Sequence, residues 1–219
     1  MKGIIFDFDG LIVDTEMPGY LAWAECYAAH GQELLLSDYT RCVGTDWAHY
    51  NPATELERLL GRALDWTELN RERTRRVYAL LEEVEPLPGV RELLAEAREE
   101  SVVCAVASSS PRSWVVPWLE RLGIHGEFVH VVTLDDVTRP KPSPELFELA
   151  LRRLGIGPHE GVVLEDSLNG LRAALAARIA CVVVPNRVTG GLNFEGASHR
   201  VESLVELGVS SLRRIVAGG

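Results

Sequence analysis

Two aspartates two positions apart, Asp7 and Asp9, close a short run of apolar residues and are followed directly by Gly10. In an extended backbone, residues i and i+2 face the same side, so the two carboxylates emerge together. Charges so close repel, and a divalent cation removes the conflict. Clustered oxygen ligands suit magnesium rather than zinc. Gly10 allows a backbone conformation closed to other residues and leaves its N–H free to approach an anion.

Three other loops carry comparable groups: Ser108-Ser109-Ser110, Arg139-Pro140-Lys141-Pro142 and Glu165-Asp166-Ser167. Lys141 has a compositional argument of its own. Of 22 basic residues only Lys2 and Lys141 are lysines. A lysine kept in a Pro-rich loop of an arginine-using chain suits a role that needs a compact ammonium charge. Helix capping is the alternative for the hydroxyls, and it would account for Ser110 or Ser167. It accounts poorly for two acids directly after Val162-Val163-Leu164.

These groups need a scaffold that brings them to one place. Gly3–Phe8 reads as a buried strand feeding a loop. From Asp14 to Glu85 no strand-like run occurs. Helices are expected at Glu16–His30, Ser37–Cys42, Pro52–Leu60 and Trp66–Glu83, punctuated by Gly31, Gly44 and Gly61. After Pro88-Gly89 strands and helices alternate. Strands are expected at Val102–Ala107, Phe128–Val132, Gly161–Leu164 and Ile179–Val184, with a last helix over Val201–Val216. Such alternation predicts an α/β fold with a parallel sheet covered on both faces, whose site lies outside the carboxyl ends of the strands. Asp7 and Asp9, the serine cluster, Lys141, and Glu165 with Asp166 all fall just past a strand.

Bulk composition narrows the function class. The chain has 219 residues and a formal net charge of −10. No basic stripe is visible for nucleic acid or an anionic membrane. An acidic protein handling phosphate must make local positive charge from a metal ion, a lysine or backbone N–H groups. Cys26, Cys42, Cys104 and Cys181 match no zinc spacing and read as buried, inert thiols of a reducing compartment. The first apolar run meets an acid at Asp7, too early for a signal peptide, and no stretch is long enough to span a bilayer. A cytoplasmic protein, monomer or weak dimer, is expected.

Asp7-Phe8-Asp9-Gly10-Leu11-Ile12-Val13-Asp14-Thr15-Glu16 resembles the first motif of the haloacid dehalogenase-like hydrolases. Ser108 resembles the second, Lys141-Pro142 the third, and Glu165-Asp166-Ser167 with Gly170 the fourth, in the same order over nearly the whole chain. The resemblance implies a Rossmann-like core of residues 1–14 and 86–219 with an inserted all-helical cap, residues 15–85. It further implies Asp7 as nucleophile, forming an aspartyl-phosphate, and Asp9 as general acid and base. Mg2+ would be held by Asp7, the Asp9 carbonyl, Asp166 and Glu165, the last directly or through water. Ser108, the Ser109 N–H and Lys141 would surround the phosphoryl oxygens. The subgroup it is most similar to contains sugar-phosphate phosphatases, phosphoglycolate phosphatase and beta-phosphoglucomutase, so the expected substrate is a small phosphorylated metabolite.

Water or a sugar hydroxyl could accept the phosphoryl group. In the mutase branch a cap histidine follows the first motif, where this chain has Gly19. An arginine follows a cap glycine, where this chain has Trp47. Both departures favour hydrolysis, with the mutase as alternative. An inactive, partner-binding scaffold is a third reading, opposed by every motif position being filled. Trp47, His49, Tyr50 and Asn51 form a polar-aromatic cluster, and Trp47 is a substrate-facing candidate. Arg71, Arg73, Arg75 and Arg76 read as the wet face of a helix that could lend one charge to a substrate. Trp114 and Trp118, four apart on a helix, read as packing or a partner contact.

Overall fold

Gly3–Phe6 forms strand β1, buried along its whole length as an apolar strand at the centre of a parallel sheet must be. The structure, a computed structural model, describes residues 1–43 and 50–218. β1 lies between β2 (Val103–Ala107) and β4 (Gly161–Glu165). With β3 (His130–Val132), β5 (Ala180–Val183) and β6 (His199–Arg200) the order is β3-β2-β1-β4-β5-β6, every pairing parallel. The expected α/β, Rossmann-like sheet is the observed one. The chain winds outward from β1 through β2 to β3, then crosses to β4 on the other side. That reversal opens a crevice at the carboxyl end of β1.

Between β1 and β2 come helices α1 (Glu16–Ala29), α2 (Leu36–Tyr39), α3 (Pro52–Leu60), α4 (Trp66–Leu80) and α5 (Val90–Glu99). The first four enclose an apolar cluster of their own around Trp23, Tyr27, Leu34, Tyr39 and Leu56. Local chemistry sets their ends. The Asn51 side chain accepts from the Ala53 N–H at 2.9 Å to start α3, and Gly61 at φ 65° ends it. Asp65 caps α4 in the same way. Val188, from the loop after β5, is lodged in this helical cluster.

Helices α6 (Arg112–Arg121), α7 (Glu145–Leu154), α8 (Leu168–Ala176) and α9 (Val209–Gly218) follow the remaining strands. Alternating strand residues divide the core in two. Ile4, Phe6, Val106 and Leu164 pack with α5, α6 and α9. Ile5, Val163 and Cys181 pack with α7 and α8. Each such fully buried aliphatic or aromatic side chain contributes about 1.5–3 kcal/mol relative to exposure.

The C-terminal region departs from the expected single helix over Val201–Val216. Ser203 and Glu206 close a separate turn, in which the Glu206 carboxylate accepts from the N–H groups of Glu202 (2.8 Å) and Ser203 (3.0 Å). The helix then restarts after Gly208. The preceding strand, β6, is two exposed polar residues. It has no apolar alternation by which a sequence could announce it. α4 ends at Leu80, short of Glu83.

Candidate active site

The carboxyl ends of β1, β2 and β4 and the helices α1 and α4 enclose a cavity of about 830 Å³. Asp7, Asp9, Ser108, Ser109, Lys141 and Asp166 all line it. Residues drawn from four separate loops thus meet at the crevice that the sheet order creates.

Lys141 is the positive centre of this group. Its side chain is 5% exposed. The ammonium donates to Asp7 Oδ1 and, at 2.5 Å, to Glu165 Oε1, and stands 4.8 Å from the centre of the Phe147 ring. Burial alone would pull its pKa down, but Asp7 and Glu165 outweigh that and hold it above its ordinary value. Glu165 is fully buried and uses both oxygens. Oε2 accepts from the N–H groups of Asp166 (3.1 Å) and Ser167 (3.0 Å) and from the Ser167 hydroxyl (2.9 Å). A Cβ on Gly170 would lie 1.8 Å from the Glu165 carboxylate, which is why that position of α8 is a glycine. Ser167 also caps α8, accepting from the Gly170 N–H at 3.1 Å.

Asp7, Glu165 and Asp166 place one carboxylate oxygen each within 4.8 Å of one another. Burial, followed by the charges of Glu165 and Asp9, raises Asp7 to about 8 against the pull of Lys141. Burial, with Glu165 and Asp7, raises Asp166 well above the usual carboxylate range. Three carboxylates buried beside one ammonium cannot all ionise without further positive charge, and every donor is a hard oxygen. That set fits a hard divalent cation.

Asp9 sits differently. Its Oδ1 accepts from the Thr15 hydroxyl and from the Trp114 indole N–H, both at 2.9 Å. Its Oδ2 accepts from the hydroxyls of Ser110 at 2.6 Å and Ser108 at 3.3 Å. The capping role considered for Ser110 is not what the structure contains: α6 has no side-chain cap, and the Ser110 hydroxyl is spent on Asp9. Trp118 is buried core as expected, whereas Trp114 belongs to the site.

Gly10 requires a correction. Its N–H is not free for an anion, because it donates to the Val13 carbonyl at 2.7 Å and closes the loop after β1. Its contribution is steric. At φ +79° a Cβ would stand 2.4 Å from Asp166 Oδ2 and 2.6 Å from Asn186 Nδ2. Asn186 is a residue sequence reading missed. Its Nδ2 donates to Asp166 Oδ2 at 2.7 Å and to the Gly10 carbonyl at 3.3 Å, while its Oδ1 accepts from the N–H groups of Val188 and Thr189. It follows the end of β5, so the strand-end test applied to the first four strands would have found it.

The cavity is further lined by Glu16, Gly19, Tyr39, Arg73 and Thr74. Burial, then the charges of Asp9, Asp7 and Asp14, lifts Glu16 to about 8. Of the four α4 arginines named above, Arg73 is the one turned inward. Its guanidinium lies 4.5 Å over the Trp23 ring and its NH2 group reaches Asn70 at 3.3 Å, but its buried Nε has no hydrogen-bond partner among the described residues. Arg71 and Arg76 pair with Glu68 and Glu25 at the surface. Trp47 and His49 lie outside the described residues. Asn51 is spent on capping α3, and Tyr50 packs against the helical cluster.

Among the described residues no helix is long and apolar enough to cross a membrane. Residues 1–178 match the family model described as haloacid dehalogenase-like hydrolase. YhcW of Bacillus subtilis (strain 168), a provisionally named phosphatase, is 41% identical over 97% of this chain and 96% of its own. The phosphorylated carbohydrates phosphatase of Thermotoga maritima is 31% identical over 82% of each chain. The crystal structure of CbbY from Rhodobacter sphaeroides in complex with phosphate superposes with a TM-score of 0.75 at 32% identity, covering 97% of this chain and 99% of that one.

Proposed function

The chain belongs to the haloacid dehalogenase-like hydrolases, and we propose that it is a magnesium-dependent phosphatase of a small phosphomonoester, acting through an aspartyl-phosphate on Asp7. The observation that carries this reading is the unequal setting of its two aspartates. Asp7 lies in the buried carboxylate cluster with the Lys141 ammonium at one oxygen. Asp9 stands on the cavity wall, held by three hydroxyls and an indole N–H. The first suits a nucleophile beside positive charge, the second a proton carrier.

In the first step an Asp7 oxygen forms the new P–O bond as the leaving oxygen departs with its electron pair and takes a proton from Asp9. In the second, Asp9 takes a proton from water as that water attacks phosphorus and frees Asp7. Lys141 and the Ser108 and Ser109 groups offset charge on the phosphoryl oxygens, where most of the catalysis of such transfers arises. Magnesium bound by Asp7, Asp166 and the Asp9 backbone, with Glu165 beside them, would add charge neutralisation at the same oxygens. Residues 15–85 act as the cap, leaving Glu16, Tyr39, Arg73 and Thr74 to read the leaving group.

Water is favoured over a sugar hydroxyl as acceptor by the surroundings of Gly19. A Cβ there would stand 2.7 Å from the Tyr39 hydroxyl, so the tyrosine fills the space a histidine would need. The test is a screen of phosphorylated metabolites with magnesium, scored by release of free phosphate. Glucose 6-phosphate formed from glucose 1-phosphate and its bisphosphate without free phosphate would establish the mutase instead.

The metal assignment has its own signature. Below a pH of about 8 the metal-free cluster keeps a proton on Asp7. A cation binds the ionised carboxylate, so magnesium should release protons on binding and bind more tightly as pH rises toward that value. Calorimetry in buffers of different ionisation enthalpy reads this directly, alongside loss of activity in EDTA and its return with magnesium. Activity indifferent to the chelator, with no proton released, would remove the metal from the mechanism.

Arg73 supports a polar, phosphorylated carbohydrate as substrate, since it brings a positively charged side chain rich in donors to the cavity wall. Arg73→Gln should raise KM for the best sugar phosphate by about 10- to 100-fold while changing KM for a simple aryl phosphate little. An equal effect on both would place Arg73 in packing against Trp23.

A further inference from the structure

Beyond the residues assigned to the reaction, we propose that Trp114 is a positioning residue for the Asp9 acid–base group, held in place by Tyr78 of the helical insertion. The inference rests on the reading of Asp9 given above. Its first support is the split between the two Asp9 oxygens. Oδ1 takes the indole N–H of Trp114 at 2.9 Å together with the Thr15 hydroxyl, whereas Oδ2 faces the hydroxyls of Ser110 and Ser108 and no indole.

The two kinds of donor are not equivalent. A hydroxyl can turn and accept, but an indole N–H only donates. The oxygen bonded to Trp114 is therefore kept as an acceptor, and a proton on Asp9 belongs on Oδ2. That oxygen is the one beside Ser108, at the phosphoryl end of the cavity. The indole thus selects the oxygen that gives a proton to the leaving group and later takes one from water.

The second support is what holds the indole. Trp114 meets Tyr78 of α4 edge-to-face, with ring centres 5.4 Å apart, and meets Trp118 at 5.6 Å. Tyr78 also stacks on Trp118 at 5.9 Å and 21°. Such pairs prefer a few geometries and resist others. The proton carrier at the end of β1 is thereby joined, through one indole, to the helix that also bears Arg73.

The test exploits the leaving group. A sugar alkoxide needs a proton as it departs and p-nitrophenolate does not. Trp114→Phe keeps the ring contacts and removes the N–H. It should lower the single-turnover rate of Asp7 phosphorylation by a sugar phosphate by about 10- to 100-fold while leaving the nitrophenolate burst within about threefold. Tyr78→Leu should bias the two substrates in the same direction by a smaller factor. Equal loss with both substrates, or no loss with either, overturns the role of Trp114. Asp9→Asn is run beside them: if it still turns over the sugar phosphate normally, the acid–base reading of Asp9 fails instead. Thermal melts of each variant separate these outcomes from misfolding.

Discussion

Asp7→Asn is expected to abolish turnover, lowering kcat on the order of 10⁴- to 10⁶-fold, as removal of a catalytic nucleophile does. The substitution keeps the shape of the side chain, and the amide oxygen can still accept from Lys141. What disappears is the anionic oxygen that bonds to phosphorus. Its effect on folding should be small for a buried site. The variant loses attraction to Lys141, but it also sheds repulsion from Glu165 and Asp9, the neighbours that help raise the Asp7 pKa. We expect Tm within about 5 °C of the parent protein. The measurement is rapid acid quench after mixing with labelled phosphomonoester. The parent protein should carry a hydroxylamine-sensitive acyl phosphate and the variant none. Label retained in Asp7→Asn would show that the phosphoryl group resides elsewhere.

The legibility of this site in the sequence followed the backbone. Asp7, Ser108, Glu165 and Asp166 were readable because each follows a β-branched apolar run, and a parallel sheet sends all such ends to one edge. Lys141 was readable from composition. Trp114 was not, although its position on a helix was clear. Whether an indole N–H points to core or cavity depends on the tilt of α6, which spacing does not encode. Gly10 was recognised as special for a reason that proved incomplete. Its positive φ was foreseeable, but the donation of its N–H to Val13 and the crowding by Asp166 and Asn186 are tertiary facts. The inward turn of Arg73, alone among neighbouring arginines, likewise depends on where Trp23 of α1 stands.

Lys141→Met should be strongly destabilising and should also remove activity. The ammonium is buried between Asp7 and Glu165, and Glu165 is fully enclosed. Breaking such a group strands the buried Glu165 carboxylate, at a cost of about 3–5 kcal/mol. For a chain of this size that corresponds to a fall in Tm of roughly 6–20 °C. Loss of charge at the phosphoryl oxygens should lower kcat by about 10²- to 10³-fold. The two effects are separable. Adding Glu165→Gln removes one stranded charge, so Lys141→Met with Glu165→Gln should be less destabilised than the sum of the single variants, by about 0.5–3 kcal/mol. Activity should not return with stability, because a neutral amide in place of the Glu165 carboxylate supplies no cation. Denaturant unfolding of the four proteins measures the coupling, and strict additivity would show that Glu165 does not depend on Lys141. Lys141→Arg tests charge apart from shape. A guanidinium is a wide planar fork, whereas the native pocket fits a point charge against Asp7, Glu165 and the Phe147 ring. It should recover part of the stability lost in Lys141→Met and little of the turnover, since catalysis needs the charge at one place and folding needs it only nearby.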